Sequence, residues 1–164
     1  MAAKTGTYTL ISSQTLGSAA ASVTFSSIPS TYTDLMLVIA ANAGGSTSAA
    51  MRFNADSGTN YSDTILEGSG TVVSSYIETG TTSIWAGSFY NTTTPTLAIH
   101  NIMDYSNATT YKTCVSRINY AAGYVAAEVG LWRNTAAITS VTLATGANFS
   151  TGSTFKLYGI EAAK

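Results

Sequence analysis

An all-β, jelly-roll-like sandwich of about ten strands is the fold that this sequence predicts. Three observations predict it. Apolar residues recur with period two in short runs, the spacing of a strand with one buried face. Gly, Asn and Ser clusters separate those runs at regular intervals, and no stretch carries a helical period of useful length. Finally, only 9% of the residues are charged, and polarity comes instead from Ser and Thr among Val, Ile and Tyr, side chains suited to a pleated, half-buried surface. The 164 residues leave room for eight core strands and an extra hairpin in one domain, 1–164.

The elements follow in chain order. Tyr8 to Ser12 reads as a first strand, and Ala20 to Ser26 alternates around Val23 and Phe25. Ile28-Pro29-Ser30-Thr31-Tyr32 is a loop, because Pro29 has no N–H and restricts Ile28. Asp34 to Ala41 is apolar on both faces, as in a central strand covered on each side; its branched residues argue against a helix. Ala49 to Asn54 runs into the turn Asp56-Ser57-Gly58-Thr59-Asn60. Between Thr64 and Glu78 the pattern marks one strand, around Val72, Val73 and Ile77, and Thr82 to Tyr90 follows with Ile84, Trp85 and Phe89.

The later runs are clearer. In Thr96 to Tyr105, Leu97, Ile99 and Met103 alternate against Ala98, His100 and Ile102. Tyr111 to Tyr120 sets Val115 opposite Cys114 and Ile118, and Tyr124 to Asn134 sets Val125, Ala127, Val129 and Leu131 opposite Glu128 and Trp132. Ile138 to Ala144 and Thr154 to Ile160 complete the set.

Charge removes several function classes. Seven Lys/Arg against eight Asp/Glu give a net charge of −1, with no basic patch for a phosphate backbone, so neither nucleic acid nor a membrane surface is an expected partner. No apolar segment follows Met1 to Thr7 as in a signal peptide. Cys114 is alone, which excludes an internal disulfide and a thiolate cage. Freely diffusing domains usually keep net charge away from zero, and a nearly neutral, hydroxyl-rich domain fits better inside a larger assembly.

Catalytic constellations are sparse. His100 is the only histidine, it lies mid-strand, and no G-x-S-x-G accompanies it. It reads as a structural histidine, and Cys114 as a packed strand residue. Of the eight acids only Glu128 falls inside a clear strand, where Arg117 or Lys112 on the preceding strand is the expected ion-pair partner. Asp56 to Glu67 places oxygen residues at positions 1, 5, 7, 9 and 12 of a calcium loop. Tyr61 stands where the sixth position needs Gly, so a turn between strands is the better reading. Tyr61, Tyr76, Trp85, Tyr90, Tyr105 and Trp132 could stack on sugars, but sheet residues are equally often aromatic. No catalytic, cofactor-binding or metal residue is assigned, and the chain is read as a non-enzyme with no cofactor.

Whole phrases have a further significance. Tyr8-Thr9-Leu10-Ile11-Ser12-Ser13-Gln14-Thr15-Leu16, Val23 through Leu35, Arg52-Phe53-Asn54-Ala55-Asp56-Ser57-Gly58-Thr59-Asn60-Tyr61-Ser62 and Gly152 through Ile160 resemble small structural proteins of tailed bacteriophages, jelly-roll modules of the capsid decoration (cement) type or parts of tail fibres. The resemblance implies a structural virion protein on the outer capsid surface that stabilises the shell, with the major capsid protein as partner. The alternative is a tail-fibre receptor- or carbohydrate-binding module. The divergent middle, Gly68 to Thr94, carries none of the resemblance. Near-neutral charge and the resemblance together lead us to expect a homo-oligomer, a homotrimer first, because cyclic oligomers suit local symmetry axes on a shell. Residues 1–7 are a candidate N-terminal arm, with Lys4, Thr5 and Tyr8 as capsid or subunit contacts.

Overall fold

Twelve strands in two antiparallel sheets make up a computed structural model of the chain, which describes residues 7–161 and has no helix among them. The strands are β1 (Tyr8–Thr15), β2 (Ala20–Phe25), β3 (Asp34–Ala41), β4 (Thr47–Phe53), β5 (Tyr61–Gly68), β6 (Val73–Thr81), β7 (Ile84–Phe89), β8 (Thr96–Ile102), β9 (Lys112–Tyr120), β10 (Tyr124–Trp132), β11 (Val141–Phe149) and β12 (Thr154–Ile160). The large sheet runs β1-β12-β3-β8-β9-β10-β5-β6, and the small one runs β2-β11-β4-β7.

Eight of these strands form the jelly roll. β1, β12, β3 and β8 lie side by side in one sheet and β2, β11, β4 and β7 in the other. The consecutive pairs β1–β2, β3–β4, β7–β8 and β11–β12 are therefore each split between the sheets, as a double Greek key requires. The other four strands are two inserted hairpins. β5–β6 follows β4, β9–β10 follows β8, and both extend the large sheet beyond β8. One extra hairpin was expected from chain length. The second comes from the Thr64–Glu78 region, which divides into β5 and β6 around a turn at Ser69–Val72, where Gly70 has φ +88°.

The core lies between the sheets and follows the expected alternation. Leu35, Leu37, Ile39 and Ala41 of β3 point inward, against Met51 and Phe53 of β4 and Val141 and Leu143 of β11. β3 was expected to be covered on both sides, but its outward residues Met36, Val38 and Ala40 are only half-buried. A sandwich has two layers, and no third layer lies outside β3 among the described residues.

Where the hairpins cross the edge of the small sheet, β7 covers them, packing on β8, β9, β10 and β5, and Phe53 of β4 packs on Tyr61 and Trp132. Gly130 of β10 makes that approach close. A Cβ there would stand 2.8 Å from the buried Ile84 side chain of β7. β6 lies beyond this cover, and eight of its nine residues are exposed.

Candidate functional site

Directly opposed residues of antiparallel neighbours point to the same side of a sheet, so the register defines rows of side chains. One inward row places His100 of β8, Ser116 of β9 and Glu128 of β10 in line. His100 Nδ1 and Ser116 Oγ are hydrogen-bonded at 2.8 Å, and Cys114 Sγ lies 3.6 Å from the same oxygen. Glu128 lies against both Ser116 and Asp63 of β5, yet neither of its oxygens has a hydrogen bond of normal geometry. Asp63 Oδ2 accepts from the Trp85 N–H at 3.2 Å, and its Oδ1 has no partner.

These groups are at most 2% exposed, and burial sets their protonation. Desolvation pushes the Glu128 carboxyl well above the carboxylate range, and the neighbouring Asp63 charge adds to the effect. Asp63 is raised for the same first cause, opposed by the Trp85 N–H. At neutral pH the two carboxyls therefore hold a proton between them. Burial lowers His100 to about 4, so its imidazole is neutral, and raises the Cys114 thiol, so it is no thiolate.

The row brings together the serine, histidine and carboxylate of a hydrolase, but in a different order. A catalytic triad needs the imidazole between the other two. Here Ser116 stands between His100 and Glu128, and His100 Nε2, directed toward the Ala86 backbone, has no hydrogen bond of normal geometry. Of these buried groups, Asp63, one inward row away opposite Gly130, alone borders a surface depression, about 430 Å³, shared with Glu78 and Trp85. The expected ion pair of Glu128 is not formed. Arg117 is one residue off the inward row and points out, while Lys112 Nζ donates to the Thr110 and Thr135 carbonyls at 2.7 and 3.1 Å. A carboxyl that is protonated inside has no need of a cation.

The other sequence candidates separate as follows. Asp56 holds its turn: Oδ1 accepts from the Gly58 N–H, and Oδ2 accepts from Asn60 Nδ2 and Trp132 Nε1, each at 2.8–2.9 Å. The Trp132 contact leads in holding this carboxyl below its usual range. From Tyr61 onward the chain is strand, so Ser62 and Thr64 of the calcium register share one face of β5 and Glu67 lies on the other, and the oxygens do not converge on one point. Of the six aromatics considered for sugar stacking, Tyr61, Tyr105 and Trp132 are fully buried, and Trp85 and Tyr90 pack on the core. Tyr76 alone is exposed. Lys4 and Thr5 lie outside the described residues. Tyr8 opens β1, at the edge of the large sheet, with more than half its surface exposed.

The feature that sequence reading did not single out is the outer face of the large sheet. One outward row reads Ile77–Thr64–Val129–Val115–Asn101–Met36 from β6 to β3. The next reads Leu66–Ala127–Arg117–Ile99–Val38, and the third Val73–Gly68–Val125–Asn119–Leu97–Ala40. Leu66, Val73, Ile77, Leu97, Val115, Val125 and Val129 are all exposed. With strands ~4.8 Å apart and rows ~6.8 Å apart, the face spans about 24 by 14 Å between backbones. With its side-chain border it reaches several hundred Å², the size of the largest apolar patch on a typical protein surface, which is often functional. Between Leu66, Val73, Leu97 and Val125 the small residues Gly68 and Ala127 leave a groove of about 710 Å³, with Arg117 as its one cation. The signal was present in the sequence as the apolar residues alternating with Cys114 and Glu128.

No protein-family model matches this chain, and no curated protein matches it either.

Proposed function

We propose that the protein is a structural virion component of the capsid decoration type, which docks on the major capsid shell through the outer face of its large sheet and performs no catalysis. The observation that carries this reading is the apolar outer face: a chain with 9% charged residues leaves seven large apolar side chains in water on one surface. Such a face costs solubility unless something covers it. The phage-like strand and turn phrases suggest what the cover is, a capsid lattice. The polar residues that resemble a hydrolase site are sealed in the core, which leaves them a structural role. A carbohydrate-binding fibre module has less support, because the aromatics it would use are mostly packed inside.

The test mixes purified protein with undecorated heads and measures occupancy at low and high salt. Binding through an apolar face should change little with ionic strength, and Val125→Lys or Leu97→Lys should lower occupancy at least tenfold with folding intact. Occupancy abolished by moderate salt, or indifferent to both variants, overturns the docking face. Absence from heads combined with localisation on tails overturns the decoration role in favour of the fibre.

A further inference from the structure

We propose that β6 is an assembly edge and that its occupant is β6 of a second copy of this chain, paired antiparallel about a two-fold axis at Ser75. This pairing needs no capsid and stands apart from the virion reading.

The large sheet ends in two free strands, and they differ. β1 carries a β-bulge between Leu10 and Ser12, which breaks its register with β12 and so its free edge. β6 keeps unbroken register with β5 from Val73 to Thr79, so its other edge presents a regular row of N–H and C=O groups. No described strand pairs with that edge. Natural edges of this length are blunted by Lys, Pro or an inward charge. β6 (VSSYIETGT) contains no Lys, Arg or Pro, and its one inward charge, Glu78 opposite Asp63, lies toward the C-terminal end of the strand, while its Val73 and Ile77 are 77% and 68% exposed.

The sequence of β6 selects its own copy. A two-fold axis perpendicular to the sheet keeps outer side chains on the outer face, so opposed residue numbers must sum to an even value. Centred on Ser75, Val73 meets Ile77 of the second copy on the outer face, twice by symmetry, and Ser74 meets Tyr76 on the inner face. Glu78, the strand's only charge, then faces Val72, and the two carboxylates lie about 20 Å apart along the strands. Centring on Tyr76 instead sets Ile77 against Ser75 and loses both apolar pairs. The Ser75 register also joins the two outer apolar faces across sixteen strands. The two-fold dimer replaces the trimer expected from composition and resemblance.

The experiment is sedimentation of the purified chain up to hundreds of micromolar, with folding followed by circular dichroism. A concentration-dependent dimer is expected, weakened at least tenfold by Ile77→Lys and unchanged by Leu10→Lys on the β1 edge. A Ser75→Cys variant treated with a disulfide-forming oxidant should give a covalent dimer, because residues opposed on the axis bring their Cβ atoms within ~4.5–5.5 Å. Ser74→Cys should not. A monomer throughout, a trimer, a dimer indifferent to Ile77→Lys, or cross-linking as efficient at residue 74 as at residue 75 each overturns the proposal.

Discussion

The two halves of the large sheet differ in polarity. Across β12, β3 and β8 the inward residues include Phe155, Leu157, Leu35, Leu37, Ile39 and Ile102, with Thr96 and His100 of β8 as the buried polar members. Across β9, β10 and β5 the inward side also carries Ser116, Lys112, Glu128 and Asp63, all buried, and the outward side carries Val115, Val125, Val129 and Leu66, all exposed. The jelly roll proper buries most of its large hydrophobic residues, with Tyr8, Leu10 and Leu97 as exposed exceptions, whereas the inserted hairpins expose about as many as they bury. A fold that stabilises itself needs the first arrangement. The second carries the desolvation cost of its buried acids and gains nothing from its exposed valines. The difference teaches that the eight-stranded roll supplies most of the apolar core, while the two hairpins supply most of the exposed apolar face on which the proposed docking rests.

The sharpest way to break that contrast is truncation on each side. Leu37→Ala, in the core of the roll, should cost about 2–5 kcal/mol in urea unfolding, from lost transfer energy and the cavity left behind. Gly130→Ala should cost about 1–3 kcal/mol, because the new Cβ must displace the packed Ile84. A neutral result there would mean that β7 and β10 are not in close contact, and the cover over the hairpins would lose its basis.

The buried carboxyls sharpen the comparison through pH. Glu128 is raised in the folded state, so above the ordinary carboxylate range the native protein holds a proton that the unfolded chain has released. Stability therefore falls as pH rises, by up to about 1.4 kcal/mol per pH unit for one proton. His100 acts in the other direction on the acid side. Its folded value of about 4 lies below the ordinary 6.5, so stability rises with pH between the two. The test window is thus pH 7 to 8, where His100 is largely neutral in both states and below the range in which the unfolded chain releases the Cys114 thiol proton that burial retains: melting temperature should decline there in the native sequence, and Glu128→Gln should flatten the decline. Parallel curves for the two proteins would show that the carboxyl is not holding a proton.

The smallest effect is expected on the outer face. Val129→Thr should leave the stability of the isolated protein within about 0.5 kcal/mol, measured beside Leu37→Ala in the same denaturant. A loss comparable to that of Leu37→Ala would mean that the face is already covered within the chain.

Much of the architecture was legible in the sequence because strand geometry is local. Period-two alternation fixed which residues share a face in β8, β9 and β10, and the turn at Asp56–Asn60 was readable from residue types whose side chains bond their own backbone. Three things were not local. The division of Thr64–Glu78 into β5 and β6 was hidden because β6 is exposed on both faces, so burial imposes no alternation on it. The partner of Glu128 was misread because a cation one strand away in sequence, Arg117, is on the other face, and an acid from β5 takes the place. Which side of the hairpins faces inward depends on where β7 lies, since a period-two pattern is symmetric between its two faces. By itself the sequence determined an all-β chain, most of its strands and, in the clearly alternating ones, which residues share a side. Tertiary packing alone decided that the acids go in and the valines stay out, because only the placement of the second sheet distinguishes one side of a strand from the other.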